Sequence, residues 1–175
     1  SCRRPATSRY LSDRFGAPAA RADCTAYYKV MLSPNDRAVD IDPRRIYEID
    51  FLFASKGEAM MSRWGHAMYR LIICAPERTK VGPECRKDVS QHVVAGYRAN
   101  VLDAGINSWK GLTGGYPSRI FFYGFPNIIQ EYNQDELRDL FSLPLRLSDD
   151  DKKILIERFL EQYWGYQGRY AFLSN

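Results

Sequence analysis

Between residues 46 and 124 the sequence is written as four apolar or alternating runs, at 46–53, 64–75, 91–101 and 117–124, and this repetition constrains the fold most. Tyr47-Glu48-Ile49-Asp50-Phe51-Leu52-Phe53 alternates with the period of two that buries one face of a strand, and the stretches His66 to Ala75 and Gln91 to Val101 are rich in aliphatic and aromatic residues. Arg119 to Tyr132 starts as a strand, but Gly124 and Pro126 demote its second half to a bulge, edge or turn. Helical patterns follow. Asn133-Gln134-Asp135-Glu136 is a capping-box variant ahead of Leu137, Leu140 and Phe141 and predicts a helix over 133–142. Ser148-Asp149-Asp150-Asp151 caps a stronger helix over 149–164, with Ile154, Leu155, Phe159, Leu160 and Tyr163 at helical spacing and acids at its positive end. Strands followed by helices imply an α+β domain, an antiparallel sheet with both helices packed on it.

With 175 residues the chain fits one domain with one core. Residues 46–175 carry that core, and residues 1–45, rich in Arg, Ala, Pro and Asp, read as an extension wrapped on it. Within the extension, Thr25 to Leu32 reads as helix or strand, and Pro34-Asn35-Asp36 and Pro43 mark turns. Residues 102–118 form a glycine-punctuated loop, either a substrate-facing lid or a plain connection. Its Gly-Leu-Thr-Gly-Gly run lacks the spacing of a phosphate-binding loop, so nucleotide binding is rejected and no cofactor is expected.

Net charge is +4, but basic and acidic residues are interspersed, which argues against a nucleic-acid groove. The one basic run, Arg3, Arg4, Arg9, Arg14 and Arg21 against Asp13 and Asp23, reads first as a solvated arm and otherwise as a contact for anionic lipid heads or nucleic acid, so peripheral membrane contact stays open. The four cysteines fall as two local pairs, Cys2 with Cys24 and Cys74 with Cys85, among three possible connectivities. Cys74 and Cys85 bracket a polar loop, and a bridge there suits an exported protein. Without a CxxC pair, and with two histidines far apart, no metal site is expected. No apolar stretch is long enough to span a membrane. The Ser1-Cys2 start also looks like the cleavage end of a lipoprotein signal, a reading ranked below a disulfide role for Cys2.

The candidate for chemistry is His66, set after Gly65 at the head of a strand, where the backbone holds an imidazole rigidly enough to take and return a proton. Met68, Arg70 and Ile72 share its face, and Tyr69 points oppositely toward the core. His92, at the start of the next strand, is either the group that orients His66 or a surface residue at a strand end; Gln91 or Ser90 could serve instead.

Four motifs in order, Trp64-Gly65-His66, the 111–116 loop Gly-Leu-Thr-Gly-Gly-Tyr, Leu145-Arg146-Leu147-Ser148, and the terminal Tyr170-Ala171-Phe172-Leu173-Ser174-Asn175, carry a resemblance. Over residues 46–175 the chain resembles the Lnb N-terminal periplasmic domain family. That resemblance implies a circularly permuted papain-like, NlpC/P60-like fold in the periplasm or otherwise exported. It also implies thiol-dependent acyl transfer, or lipid or amide hydrolysis, through a cysteine–histidine dyad and a thioester. His66 is then the base, and Trp64, Gly114 and Tyr116 are expected to face substrate, a phospholipid or a lipoprotein. In the family the nucleophilic cysteine directly follows the segment matching Tyr170–Asn175, so it is expected just beyond Asn175 and the domain is expected to continue. Two alternatives are carried: an NlpC/P60-type cell-wall peptidase with Cys24 as nucleophile and His66 as base, and a non-catalytic periplasmic binding or scaffold module.

Overall fold

The computed structural model describes residues 4–18, 27–35, 37–58, 65–101, 107–165 and 168–170. Its strands are β1 (Lys29–Ser33), β2 (Arg37–Asp40), β3 (Ile46–Ala54), β4 (His66–Ile73), β5 (Val93–Ala99), β6 (Tyr116–Gly124), β7 (Leu140–Pro144) and β8 (Gly168–Tyr170). Its helices are α1 (Pro5–Phe15), α2 (Ser108–Leu112), α3 (Phe125–Ile129) and α4 (Asp149–Gly165). The strands make one sheet in the order β2-β1-β6-β5-β4-β3-β7, with β8 added to β6. The fold is therefore α+β, as expected. All neighbours are antiparallel except β1 and β6, which run parallel, so the sheet is mixed and not purely antiparallel. The outer edge of β6 is divided: β8 pairs with Tyr116 to Ser118, and β1 with Phe122 and Tyr123.

The four central runs appear as β3, β4, β5 and β6, each within three residues of its expected bounds. The segment expected as a helix over 133–142 differs. Helix begins earlier, at Phe125, where Pro126 fits the first turn because its missing N–H has no intrahelical partner to lose. It continues as a π-helix over Gln130–Asp135, and the Leu140 and Phe141 read as a helical stripe belong to β7, paired with Ala54 and Phe53 of β3. Leu137, two residues past the end of the π-helix, has φ +52 and turns the chain toward β7. In the 102–118 loop, Asn107 caps the short α2 by accepting from the Lys110 N–H. From the N-terminal extension, β1 and β2 join the sheet itself, and Thr25 and Ala26 lie outside the described residues.

The two faces of the sheet differ in chemistry. One packs Ile49, Leu71, Val93, Ile120 and Phe122 under Ile156, Phe159 and Leu160 of α4. Burial of such side chains contributes about 1.5–3 kcal/mol each. The Ser148 hydroxyl caps α4 by accepting from the Asp151 N–H at 3.1 Å, while the Asp151 carboxylate accepts from the Ser148 N–H at 3.3 Å. Lys152 then ties the first turn to β3 through the Tyr47 carbonyl at 2.8 Å. Outside α4 lies α1, held by Arg9 on the buried Glu157 and by Thr7 on Glu161, and ended by Gly16 at φ +65.

The opposite face carries Leu52, Ala54, Met68, Val94 and Tyr123 under Phe125, Ile128 and Tyr132, but it also buries charge. Fully buried Asp50 accepts from Arg86 at 2.9 Å and from the Ser142 hydroxyl at 2.6 Å, and Arg86 also bonds Glu48. Arg86 belongs to a 3-10 turn, Pro83–Lys87, that the Cys74–Cys85 disulfide clamps to the end of β4 with the Cα atoms 4.6 Å apart. The cross-link therefore also holds the counter-charge of a buried carboxylate. Replacing Cys74 and Cys85 together by Ser should remove about 2–3 kcal/mol of stability. Urea unfolding measures it, and a loss under 1 kcal/mol would mean that the loop stays docked without the bridge.

Candidate active site

Gly65 has φ +77, and a Cβ there would meet the Ala54 carbonyl oxygen at 2.8 Å and the Phe53 ring at 2.6 Å. Only glycine lets the chain turn so closely over β3 and then pair His66 with Ala54 as the first residue of β4. The face-sharing read from the sequence holds: Met68, Arg70 and Ile72 are buried, while Tyr69 points the other way and meets Phe51 at 6.1 Å and Phe159 at 5.1 Å.

Over His66 lies the π-helix. Its widened turn is closed by the Glu136 N–H on the Glu131 carbonyl at 2.9 Å, and it presents Tyr132, whose ring stacks on the imidazole at 6.4 Å with 14° between planes. The register that pairs Met68 with Gly96 carries Arg98 opposite His66. Arg98 is chelated by Glu131 through contacts of 2.8 and 2.9 Å, donates to the Tyr132 hydroxyl at 3.1 Å and covers the Tyr123 ring at 4.5 Å. Arg138 lies 4.9 Å from the Tyr132 ring centre, donates to the Ser55 carbonyl and pairs with Glu136 at 2.6 Å.

Electrostatics follow from this packing. Burial, with the like charges of Arg98 and Arg138 added, pushes the His66 imidazole down to about 4, so it is neutral at ordinary pH. Its Nε2 is buried without a hydrogen-bond partner among the described residues. Burial also pushes the Tyr123 and Tyr132 hydroxyls up to about 12, which keeps both protonated. Burial alone would lower Arg98, but its bonds to Glu131 outweigh that, so its pKa ends above the ordinary value.

The other expected site residues are placed as follows. His92 is neither an orienter of His66 nor a surface residue: it is 1% exposed, and both ring nitrogens are engaged. Arg70 donates to Nδ1 at 2.7 Å, so Nε2 carries the proton and donates to the Cys85 carbonyl at 2.9 Å. The Leu71–Val93 pairing sets His92 beside Ile72, six residues along the strand from His66, or roughly 20 Å. Burial, aided by the Arg70 cation, holds its pKa below the ordinary value. Tyr116, expected to face substrate, is instead 1% exposed; its hydroxyl accepts from the Asn107 N–H at 2.7 Å and its ring lies under Lys110. Gly114, at φ +71, makes the turn after α2. Trp64, Cys2 and Cys24 lie outside the described residues. Sequence reading missed Arg98, Glu131, Tyr132 and Arg138; a charge in the middle of the β5 run was the one available signal.

A cavity of about 1100 Å³ lies elsewhere, lined by Tyr28, Asp42, Arg44, Tyr47 and the start of α4. Ile46 and Tyr47 open β3, whereas His66 pairs with Ala54 at its far end. No group of three or more His, Cys, Asp or Glu among the described residues could hold a metal.

The family model described as Lnb N-terminal periplasmic domain matches residues 35–175. The chain belongs to this family. No curated protein and no solved structure matches it. The match takes in β2 as well as the residues from 46 onward. A periplasmic domain family suggests an exported protein, and the Cys74–Cys85 disulfide accords with an oxidising compartment. None of the described helices is long and apolar enough to cross a membrane.

Because the folded pKa of His66 lies below its unfolded value, the unfolded domain binds the extra proton between pH 6.5 and 4. Stability is full above pH 6.5 and falls as pH drops through that window, by about 2–3 kcal/mol from this residue. Urea midpoints at pH 7.5 and 4.5 should show the fall in the wild type and a smaller one in His66→Gln, with a residual slope from His92. Equal slopes in both proteins would refute the assignment. Gly65→Ala should cost about 2 kcal/mol or more at every pH, since it meets backbone and a positive φ together; thermal unfolding tests this.

Proposed function

We propose that this domain performs thiol-dependent acyl transfer, or the related lipid or amide hydrolysis, on the periplasmic side, with His66 as general base and acid. One observation carries the reading: a neutral imidazole at the head of β4 whose buried Nε2 lacks a partner among the described residues. A neutral nitrogen with a free lone pair can take a proton, and a thiolate formed beside it would raise the depressed imidazole pKa as the proton arrives. The nucleophile in this reading is the cysteine that follows, in the family, the segment matching Tyr170–Asn175. Support comes from β8, which pairs Gly168 with Ser118, one residue from the Arg119 that pairs with Arg98. The chain therefore returns to the His66 end of the sheet, in keeping with a permuted papain-like arrangement.

The steps balance with these two groups. His66 takes the thiol proton, and the thiolate attacks the ester carbonyl to form a tetrahedral oxyanion. As the oxyanion collapses, the C–O bond breaks and the leaving alcohol takes the proton from His66, which leaves an acyl thioester. Water or an amine then attacks the thioester, His66 accepts its proton, and the departing thiolate recovers that proton. A phospholipid donor and a lipoprotein amine acceptor fit this sequence, and neither a metal nor a redox cofactor enters it.

The test uses the intact protein with vesicles of phospholipid bearing a fluorescent acyl chain. Mass spectrometry should detect a hydroxylamine-labile acyl adduct on the cysteine. His66→Gln and Cys→Ser at the nucleophile should each lower turnover by at least about 10³-fold. Wild-type turnover in His66→Gln would sink the dyad, and binding of lipid without any adduct would favour a binding module.

A further inference from the structure

Helix α1 carries its apolar residues on the outside. Tyr10, Leu11 and Phe15 are 52%, 41% and 70% exposed, while the bonds to α4 are made by the polar Thr7 and Arg9. A helix packed on a domain ordinarily does the reverse and turns its apolar stripe inward. Of the eleven residues of α1, only Ala6 is buried.

Charge holds the helix in this orientation. Glu157 on α4 is 3% exposed, and the Arg9 guanidinium is its counter-ion, with Nε donating to Oε2 at 3.0 Å. Thr7 adds its N–H to the Glu161 carboxylate at 2.7 Å. Rolling α1 to bury Leu11 and Phe15 would strip a buried carboxylate of its cation, which is strongly destabilising. The apolar side chains therefore stay outward.

Leu11 and Phe15 stand four residues apart and Arg4 seven before Leu11, so the three share one stripe, with Tyr10 and Arg14 on its flank. Arg4 and Arg14 are both exposed. Asp13 falls four residues after Arg9, on that residue's side of the helix, where its charge acts on Arg9. The outer face of α1 is thus apolar and cationic, with no carboxylate on it. At about 16 Å by 10 Å it is far smaller than the roughly 800 Å² per partner of a stable protein interface. A bilayer demands no matching shape: apolar side chains sink below the headgroups, and basic ones stay among the phosphates.

We propose that this face of α1 docks the domain on an anionic phospholipid bilayer, with Tyr10, Leu11 and Phe15 entering the boundary between headgroups and acyl chains and Arg4 and Arg14 meeting the phosphates. The helix precedes residues 35–175, so membership of the family does not supply this surface. It also lies on the α4 side of the sheet, opposite the face that carries His66, so the inference stands apart from the acyl-transfer reading.

The test is sedimentation of the intact protein with sucrose-loaded vesicles, either of phosphatidylcholine alone or of equal parts phosphatidylcholine and phosphatidylglycerol. The wild type should bind the anionic vesicles about tenfold more tightly or better, and added salt should weaken that binding. Leu11→Ser combined with Phe15→Ser should lower binding about tenfold or more with thermal unfolding unchanged. Arg4→Gln combined with Arg14→Gln should remove the preference for phosphatidylglycerol, whereas Lys80→Gln, in the loop closed by the disulfide, should keep it. Phe15→Trp should gain fluorescence quenching by brominated lipid beyond that of the three native tryptophans. Quenching reads the helix itself, whatever the rest of the chain does at a bilayer. Unchanged quenching in Phe15→Trp overturns the proposal, as does wild-type vesicle binding in the Leu11 and Phe15 variant. A dimer in solution that this variant dissolves, without vesicle binding by the wild type, would assign the face to a second copy and overturn it equally.

Discussion

The antiparallel pairing of β3 with β4 is the constraint from which the rest of the structure follows. It runs from Ile46 against Ile73 to Ala54 against His66, and its two ends do different work. At one end the strand passes into Cys74 and the clamped turn that supplies Arg86 to Asp50. At the other, Gly65 folds tightly over Ala54 and His66 begins the strand. A slip of one residue would turn His66 and Arg70 into the α4 core and bring Tyr69 and Leu71 among the buried charges. The pairing is therefore specified by chemistry on both faces, not by hydrophobicity on one.

The division of the sheet into a dry face and a charged face explains the state of the site. Buried polar groups are tolerated when they are paired, and nearly every one here is: Asp50 with Arg86 and Ser142, His92 with Arg70 and the Cys85 carbonyl, Arg98 with Glu131. The exceptions among the described residues are His66 Nε2 and Arg70 Nε. Arg70 has its remaining nitrogens in the Asp50–His92 network and its guanidinium 3.8 Å from the Phe125 ring centre, which accounts for its presence. His66 has no comparable structural purpose, and that contrast separates it from the other buried polar side chains.

Much of this was legible in the sequence, for identifiable reasons. The central strands show because alternation is a local signal, and α4 shows because Ser148 and the acids after it form a cap within four residues. The Gly65-His66 pair is also local, since the positive φ belongs to the residue itself. What failed to show depends on partners far along the chain. Leu137, Leu140 and Phe141 have the spacing of a helical stripe, but the edge of β3 draws the last two into a strand. His92 was read from its position at a strand end, yet its bonds go to Arg70 and to a turn held by a disulfide. Arg98, Glu131 and Tyr132 meet only because β5 pairs alongside β4 while the π-helix lies over its first residue, and no spacing in the sequence records that meeting.

The π-helix has a consequence of its own, best expressed as a matter of phase. A π turn is an α turn holding one residue too many, with poorer backbone bonding than the form it displaces. A chain one residue shorter between Ile129 and Arg138 could close ordinary α-helical bonds here and gain stability from them. It would also turn the side chains that follow by about 100° around the axis. Tyr132 and Arg138 could not then both reach the neighbourhood of His66, as they do with the extra residue present. The less favourable helix works as a spacer of angle, not of length, that sets the aromatic and cationic groups in step with a histidine on a different element.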